Sequence, residues 1–204
     1  MKDPHRATTR EVRKIHFAAD LRMKDVPKVC GAGCSFCCHQ LIRLDLAEAP
    51  GIERFILEEL SEPVREQVRT GLRRWLAFFD ANTPAEGVVE EADLAQVDAR
   101  LVAERVPCPF LVDDCCAIYK VRPLVCRTYT VNDDPALCRE TPNREGDPAG
   151  LAVHERARAE LGRVTGVQGV RLLNYAVQEV LGLDHACKPV RLMLTPGERA
   201  GRAR

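Results

Sequence analysis

Apolar residues follow a helical period over most of this chain. Val64, Val68, Leu72, Trp75, Leu76 and Phe79 recur at three- and four-residue steps, while Arg65, Arg69, Arg73 and Arg74 fill the positions between them. This predicts an amphipathic helix with Ser61 as its cap and Pro63 in its first turn. Upstream, Ile52, Phe55, Ile56 and Leu60 place a second apolar stripe on a shorter helix. Asp45 followed by Glu48 has the spacing of a capping box at its start, with Pro50 interrupting the pattern. Further helices are expected over residues 9–21, 90–104, 151–161 and 167–181. In the last of these Leu172, Leu173, Ala176, Val177, Val180 and Leu181 supply the apolar face. Residues 80–84 read as a break, residues 190–194 as a short strand, and the closing PGERAGRAR as a frayed tail.

Two stretches escape this periodicity. The first is CGAGCSFCCHQ and the second CPFLVDDCCAIYKVRPLVCR; together they hold eight of the ten cysteines. The expected fold is therefore mainly α, a small single domain of packed helices with irregular cysteine-rich metal-binding loops between them. Its expected divisions are an N-terminal arm (1–28), a cysteine-cluster part with intervening helices (29–140), a C-terminal helical part packed on the same domain (141–195) and a flexible tail (196–204). The turn-rich ETPNREGDPAG connects the second and third.

Composition narrows the function classes. Hydrophobic residues make up 46% and charged residues 29%, an ordinary globular mixture. Thirty basic and thirty acidic residues cancel, and arginines alternate with acids along the chain. That balance gives no case for nucleic acid or an anionic membrane surface. The first twenty residues lack the apolar run of an export signal, and no stretch reaches the length of a membrane span. A cytoplasmic, reducing location is expected, where clustered cysteines serve as ligands or redox groups more often than as disulfides. The adjacent pairs Cys37-Cys38 and Cys115-Cys116 fit a disulfide scaffold poorly.

Thiolates at two- and three-residue spacing converge on one ion or cluster. Gly31 and Gly33 let the backbone bend close to it and aim amides at the sulfurs. Four thiolates suit Zn2+ or a [4Fe-4S] cluster, so the spacing does not choose between them. Cys30, Cys34 and Cys37, with Phe36 before the third cysteine, also resemble locally the cluster motif of radical S-adenosylmethionine enzymes. Those enzymes place the motif after the first strand of a barrel, where this chain predicts helices.

A longer resemblance covers both groups. The sequence resembles the YkgJ-like cysteine-cluster family, described as chelating zinc or iron. Its first signature, CxxCxxCC or a near variant, corresponds to Cys30, Cys34, Cys37 and Cys38, with one extra residue in the opening spacing. Its second appears as Cys108-Pro109-Phe110-Leu111, then Cys116-Ala117-Ile118-Tyr119, then Arg122-Pro123-Leu124-Val125-Cys126-Arg127. A further family cysteine matches Cys138. The resemblance implies a ligand set drawn from Cys30, Cys34, Cys37, Cys38, Cys108, Cys116, Cys126 and Cys138, with Cys115 an additional neighbour. Eight positions exceed one tetrahedral site: two ions, one cluster with redox-active thiols, or one metal with spare cysteines all satisfy them.

The remaining candidates have plainer readings. Cys187 lies far from both groups and reads as a free thiol. His39 follows Cys38 and reads as a turn or outer hydrogen-bond partner, with ligation the alternative; His5, His16, His154 and His185 read as solvent-facing or packed beside the core. Arg122 and Arg127 bracket Cys126, to offset thiolate charge or to pair with Asp113 and Asp114. Tyr119 covers the site or donates to a sulfur, and Pro123 fixes the turn that brings Cys126 inward. The leading expectation is a metal-binding protein holding an iron–sulfur cluster for electron transfer or redox or metal sensing, with a redox or client protein as partner. A zinc-stabilised interaction module is the first alternative. A modifying enzyme is the second, because flagellin lysine methylase carries a related cysteine cluster, although no acid–base pair or glycine-rich cofactor loop is evident here.

Overall fold

The computed structural model describes residues 4–31, 33–141 and 144–192. Among these the fold is mainly α, with eight α-helices and strands of two or three residues. The periodic stretches form α1 (Pro4–Arg22), α2 (Ala49–Glu58), α3 (Glu62–Ala81), α4 (Glu91–Ala103) and α7 (Pro148–Thr165). Among the described residues no helix is long and apolar enough to cross a membrane. The tail expected over residues 196–204 and the end of the strand expected over 190–194 lie outside the described residues. Val190 itself makes one isolated parallel bridge, with Val89.

The apolar stripes meet in two cores. In the larger one, α2, α3 and α4 bury Ile52, Ile56, Leu72, Phe79, Leu94 and Leu101. Phe79 stacks on Trp75 with ring centroids 5.1 Å apart and takes the edge of Tyr175 at 5.5 Å. The smaller core joins Val12, Ile15 and Ala19 of α1 to Ala157 and Leu161 of α7, with Leu124 between them. Leu124 opens α5 (Leu124–Thr128), a five-residue helix capped by Pro123. Here α7 approaches so closely that a Cβ on Gly150 would stand 2.5 Å from the Thr128 carbonyl oxygen. Only glycine fits that approach.

The structure differs from the sequence reading at residues 167–181. Val170–Leu172 is a strand, β4, paired antiparallel with β1 (Arg43–Asp45) in the register Arg43 to Leu172 and Asp45 to Val170. Only Leu173–Val177 then forms a helix, α8. A helix over all of these residues would leave the polar groups of β1 without this partner, so the long-range pairing overrides the local period.

Candidate metal centre

The two cysteine groups meet through their backbones. Cys37 and Cys38 sit on a single 3-10 turn, Phe36–His39, and the Cys108 amide donates to the Cys38 carbonyl at 2.6 Å. Cys34 begins the approach: its amide donates to the Gly31 carbonyl at 3.1 Å, and Gly33 takes φ +86° in between.

A short hairpin delivers the next thiol. β2 (Leu111–Val112) pairs with β3 (Cys115–Cys116), Leu111 opposite Cys116 and Val112 opposite Cys115. Asp113 and Asp114 form its two-residue turn, both at positive φ (49° and 58°), as a type I′ connection requires. Successive strand residues face opposite ways. Cys115 is accordingly exposed, whereas Cys116 packs against the larger core. Cys126 lies on α5, and Cys138 is buried on α6 (Leu137–Glu140), which packs on the Cys37 turn.

Within Cys37, Cys108, Cys116 and Cys126 every pair of thiols interacts. Cys126 is pushed well up, first by burial and then by Cys108, Cys37 and Cys116, with Glu48 adding to them. Cys108 is pushed up to about 12, first by burial, then by Cys116 and Cys37. Cys116 is raised first by burial and further by Cys37. Cys37 is raised by its hydrogen bond with Cys38, then by burial. A second set adjoins the first. Cys34 and Cys138 are each raised first by burial; Cys30 and Cys37 raise both, Cys138 also raises Cys34, and Arg144 lowers Cys138. Cys187 stands apart, exposed, accepting from the Gln178 side-chain amide at 2.8 Å.

Backbone amides already point at these sulfurs. Phe36 donates to Cys34, Phe110 to Cys108 and Ile118 to Cys116, in each case the residue two positions on, and each contact favours the thiolate. Arg122 does the same for Cys37 and Cys116 by its charge, and Arg127 for Cys116.

A family model with the description "CxxCxxCC: Putative zinc- or iron-chelating domain" matches residues 29–147, more than half of the chain. The chain belongs to this family. Neither a curated protein nor a solved structure matches it. Chelation of zinc or iron by the CxxCxxCC domain fits the donors present: soft thiols, gathered from distant segments, raised by burial and mutual repulsion, with amides and arginines arranged to hold them once ionised. Among the described residues no three Cys, His, Asp or Glu side chains are gathered into a finished cage for one ion.

The groups around the thiols have their own partners, and only the expected pairing of Arg122 and Arg127 with Asp113 and Asp114 is replaced by another. Arg127 pairs with Asp20 of α1 at 2.6 Å and donates to the carbonyls of Lys120 (2.7 Å) and Arg122 (2.9 Å), while Asp113 and Asp114 are occupied in the hairpin turn. Tyr119 is exposed, with the Arg122 guanidinium 3.8 Å from its ring centre. The tyrosine beside the thiols is Tyr129, whose hydroxyl donates to the Arg144 carbonyl at 3.0 Å. Burial, and then Cys138, push it up to about 12. His16 is buried against Glu48 at 2.7 Å, and the same Glu48 oxygen accepts the Leu124 amide at 2.7 Å. His154 hydrogen-bonds Thr128 at 3.1 Å and His185 pairs with Asp80 at 3.0 Å. Glu48 was visible as the far end of a capping box, which the structure contains. Arg144, 3.0 Å from the Cys138 sulfur, sits in a turn-rich connector with no local signal of that role.

Proposed function

We propose that Cys37, Cys108, Cys116 and Cys126 hold a [4Fe-4S] cluster and that the protein works in electron transfer or in redox or metal sensing. The observation that carries this reading is the complete mutual grouping of these four thiols, contributed by a 3-10 turn, a loop, a hairpin and a helix. Four cysteine thiols drawn from separate segments are the ligand set that a [4Fe-4S] cluster takes. A bound cluster supplies a one-electron couple. The chain's own part is to ionise and orient the four sulfurs, to set the potential through the amides of Phe110 and Ile118 and the charges of Arg122 and Arg127, and to shield the buried side. A redox or client protein would be the partner, and the cytoplasm the setting that keeps the thiols reduced.

The test is elemental analysis with an absorption spectrum on untagged protein purified without oxygen. Iron and acid-labile sulfide in near-equal amounts, with broad visible absorption, support the reading. Stoichiometric zinc in colourless protein overturns it and makes the domain a zinc-stabilised interaction module.

A further inference from the structure

We propose that the cleft between α3 and the β2–β3 hairpin binds a small molecule, a flat aromatic ring system that carries an anionic group. The cleft holds about 430 Å3, within the range of small-molecule sites. Cys108 is among its lining residues, but other groups hold the ligand, whichever metal the thiols bind.

Its walls are apolar and aromatic. One is α3, which contributes Trp75 and Phe78; the other is formed by Pro109, Leu111 and Val112. Gly71 lets α3 lie against Pro109, with only 3.3 Å left for a Cβ between them. Such a lining takes a flat ring. Trp75 is 2% exposed, yet its indole N–H has no hydrogen-bond partner among the described residues. A buried indole N–H ordinarily finds an acceptor, and a ring carbonyl or ring nitrogen of the ligand supplies one.

Two arginines set the preference for an anion. Arg74 and Arg105 both line the cleft, and neither side chain has an ion pair or hydrogen bond among the described residues. Of the acids beside them, Glu104 is taken by Arg100 at 2.7 Å, which leaves Asp113 against two guanidinium groups. Arg105 also stands where the backbone favours glycine. The Val106 amide donates to the Leu101 carbonyl at 3.0 Å and the Arg105 amide to the Val102 carbonyl at 3.3 Å, the paired bonds of a Schellman turn closing α4. The residue in the middle of that turn must take left-handed backbone, and Arg105 does so at φ +53°. The turn thus carries a side chain that it disfavours, at a place where a guanidinium meets a bound anion.

Flavin mononucleotide is the probe, with riboflavin (the ring without the phosphate) and inorganic phosphate (the anion without the ring) as controls. Trp75 is the chain's only tryptophan, so quenching of its emission reports an occupant of this cleft. The full chain with its metal in place should bind flavin mononucleotide about tenfold more tightly than riboflavin, and equimolar phosphate should not displace it. Arg74→Gln and Arg105→Gly should each bring the affinity for flavin mononucleotide down to that for riboflavin. Arg105→Gly also relieves the left-handed residue, so its thermal midpoint should stay at or above the parent's while binding is lost. General destabilisation cannot give that combination. Arg163→Gln, which removes an exposed cation on α7, should bind like the parent. No binding by the parent, equal affinity for flavin mononucleotide and riboflavin, or displacement by phosphate would each overturn the proposal. So would parent-like binding in either Arg74→Gln or Arg105→Gly, or an equal loss in Arg163→Gln.

Discussion

The Cys108 amide and the Cys38 carbonyl, 2.6 Å apart, join two cysteine groups that lie seventy residues apart in the chain. Between them run α2, α3 and α4, whose packing fixes where Cys108 emerges. Gly71 on α3 would carry its Cβ 3.3 Å from Pro109, so α3 lies directly against the loop that begins with Cys108. The helical core is thus the frame that sets one half of the site against the other.

Single cysteine substitutions should separate ligands from bystanders. Cys37→Ser, Cys108→Ser and Cys126→Ser should each lose the tightly bound metal and lower the thermal midpoint, because the remaining thiols lose their shared cation. Cys115→Ser, at the exposed face of the hairpin, and Cys187→Ser should keep parent metal content and stability. Elemental analysis beside a melting curve checks all five. Normal metal in the first three variants would sink the assignment.

Metal-free protein should weaken at alkaline pH. The Cys108 thiol moves from its usual 9.0 to about 12 in the fold, so the folded state holds this proton more tightly than the unfolded chain. The resulting stability is fully present below about pH 9 and is lost as pH rises towards about 12. Metal binding needs the thiolates, so loading should run the opposite way and strengthen as pH rises. Urea titrations of metal-free protein across that alkaline window, with metal affinity measured alongside, test both signs.

How far the sequence discloses this arrangement depends on range. The stripe from Val68 to Phe79 is a local signal, and those positions are the buried face of α3. The Asp45–Glu48 capping box is local too, and it forms. Residues 167–181 mislead because the apolar spacing of Leu172, Leu173, Ala176 and Val177 serves a strand and a helix in succession, and only pairing with Arg43–Asp45 decides the boundary. Cysteine spacing marks the candidate donors but not their grouping. That Cys138 lies beside the turn carrying Cys37 follows from α6 packing back on it, which no spacing encodes. Asp20 and Arg144 approach the site from the N-terminal helix and from the connector, where each reads as one more surface charge.

Gly150→Ala tests the contact between α5 and α7. The new methyl would meet the Thr128 carbonyl, a backbone atom that cannot rotate aside. Relief requires α7 to withdraw from the helix that carries Cys126. Overpacking of this kind costs about 1–3 kcal/mol. The thermal midpoint should therefore fall, and the metal should be released by chelator faster than from the parent. Gly162→Ala on the same helix, where a Cβ meets nothing within 4 Å, is the control: its midpoint should hold or rise slightly, and its metal release should match the parent.

Glu48 binds three donors from three segments: the His16 ring at 2.7 Å, the Leu124 amide at 2.7 Å and the Asp45 amide at 3.1 Å. It is buried, so water cannot replace them. Glu48→Ala strands all three donors and opens a gap between α1 and α5, which should cost about 3 kcal/mol or more in chemical denaturation. Glu48→Gln retains an acceptor oxygen and the side chain's volume, and should recover part of that loss. The same carboxylate raises the Cys126 thiol, so its neutral replacement should also ease formation of that thiolate. Glu48→Gln is therefore expected to be less stable than the parent when metal-free, yet to bind metal at a lower pH. A metal-binding pH profile unchanged from the parent would show that Glu48 acts on the fold alone.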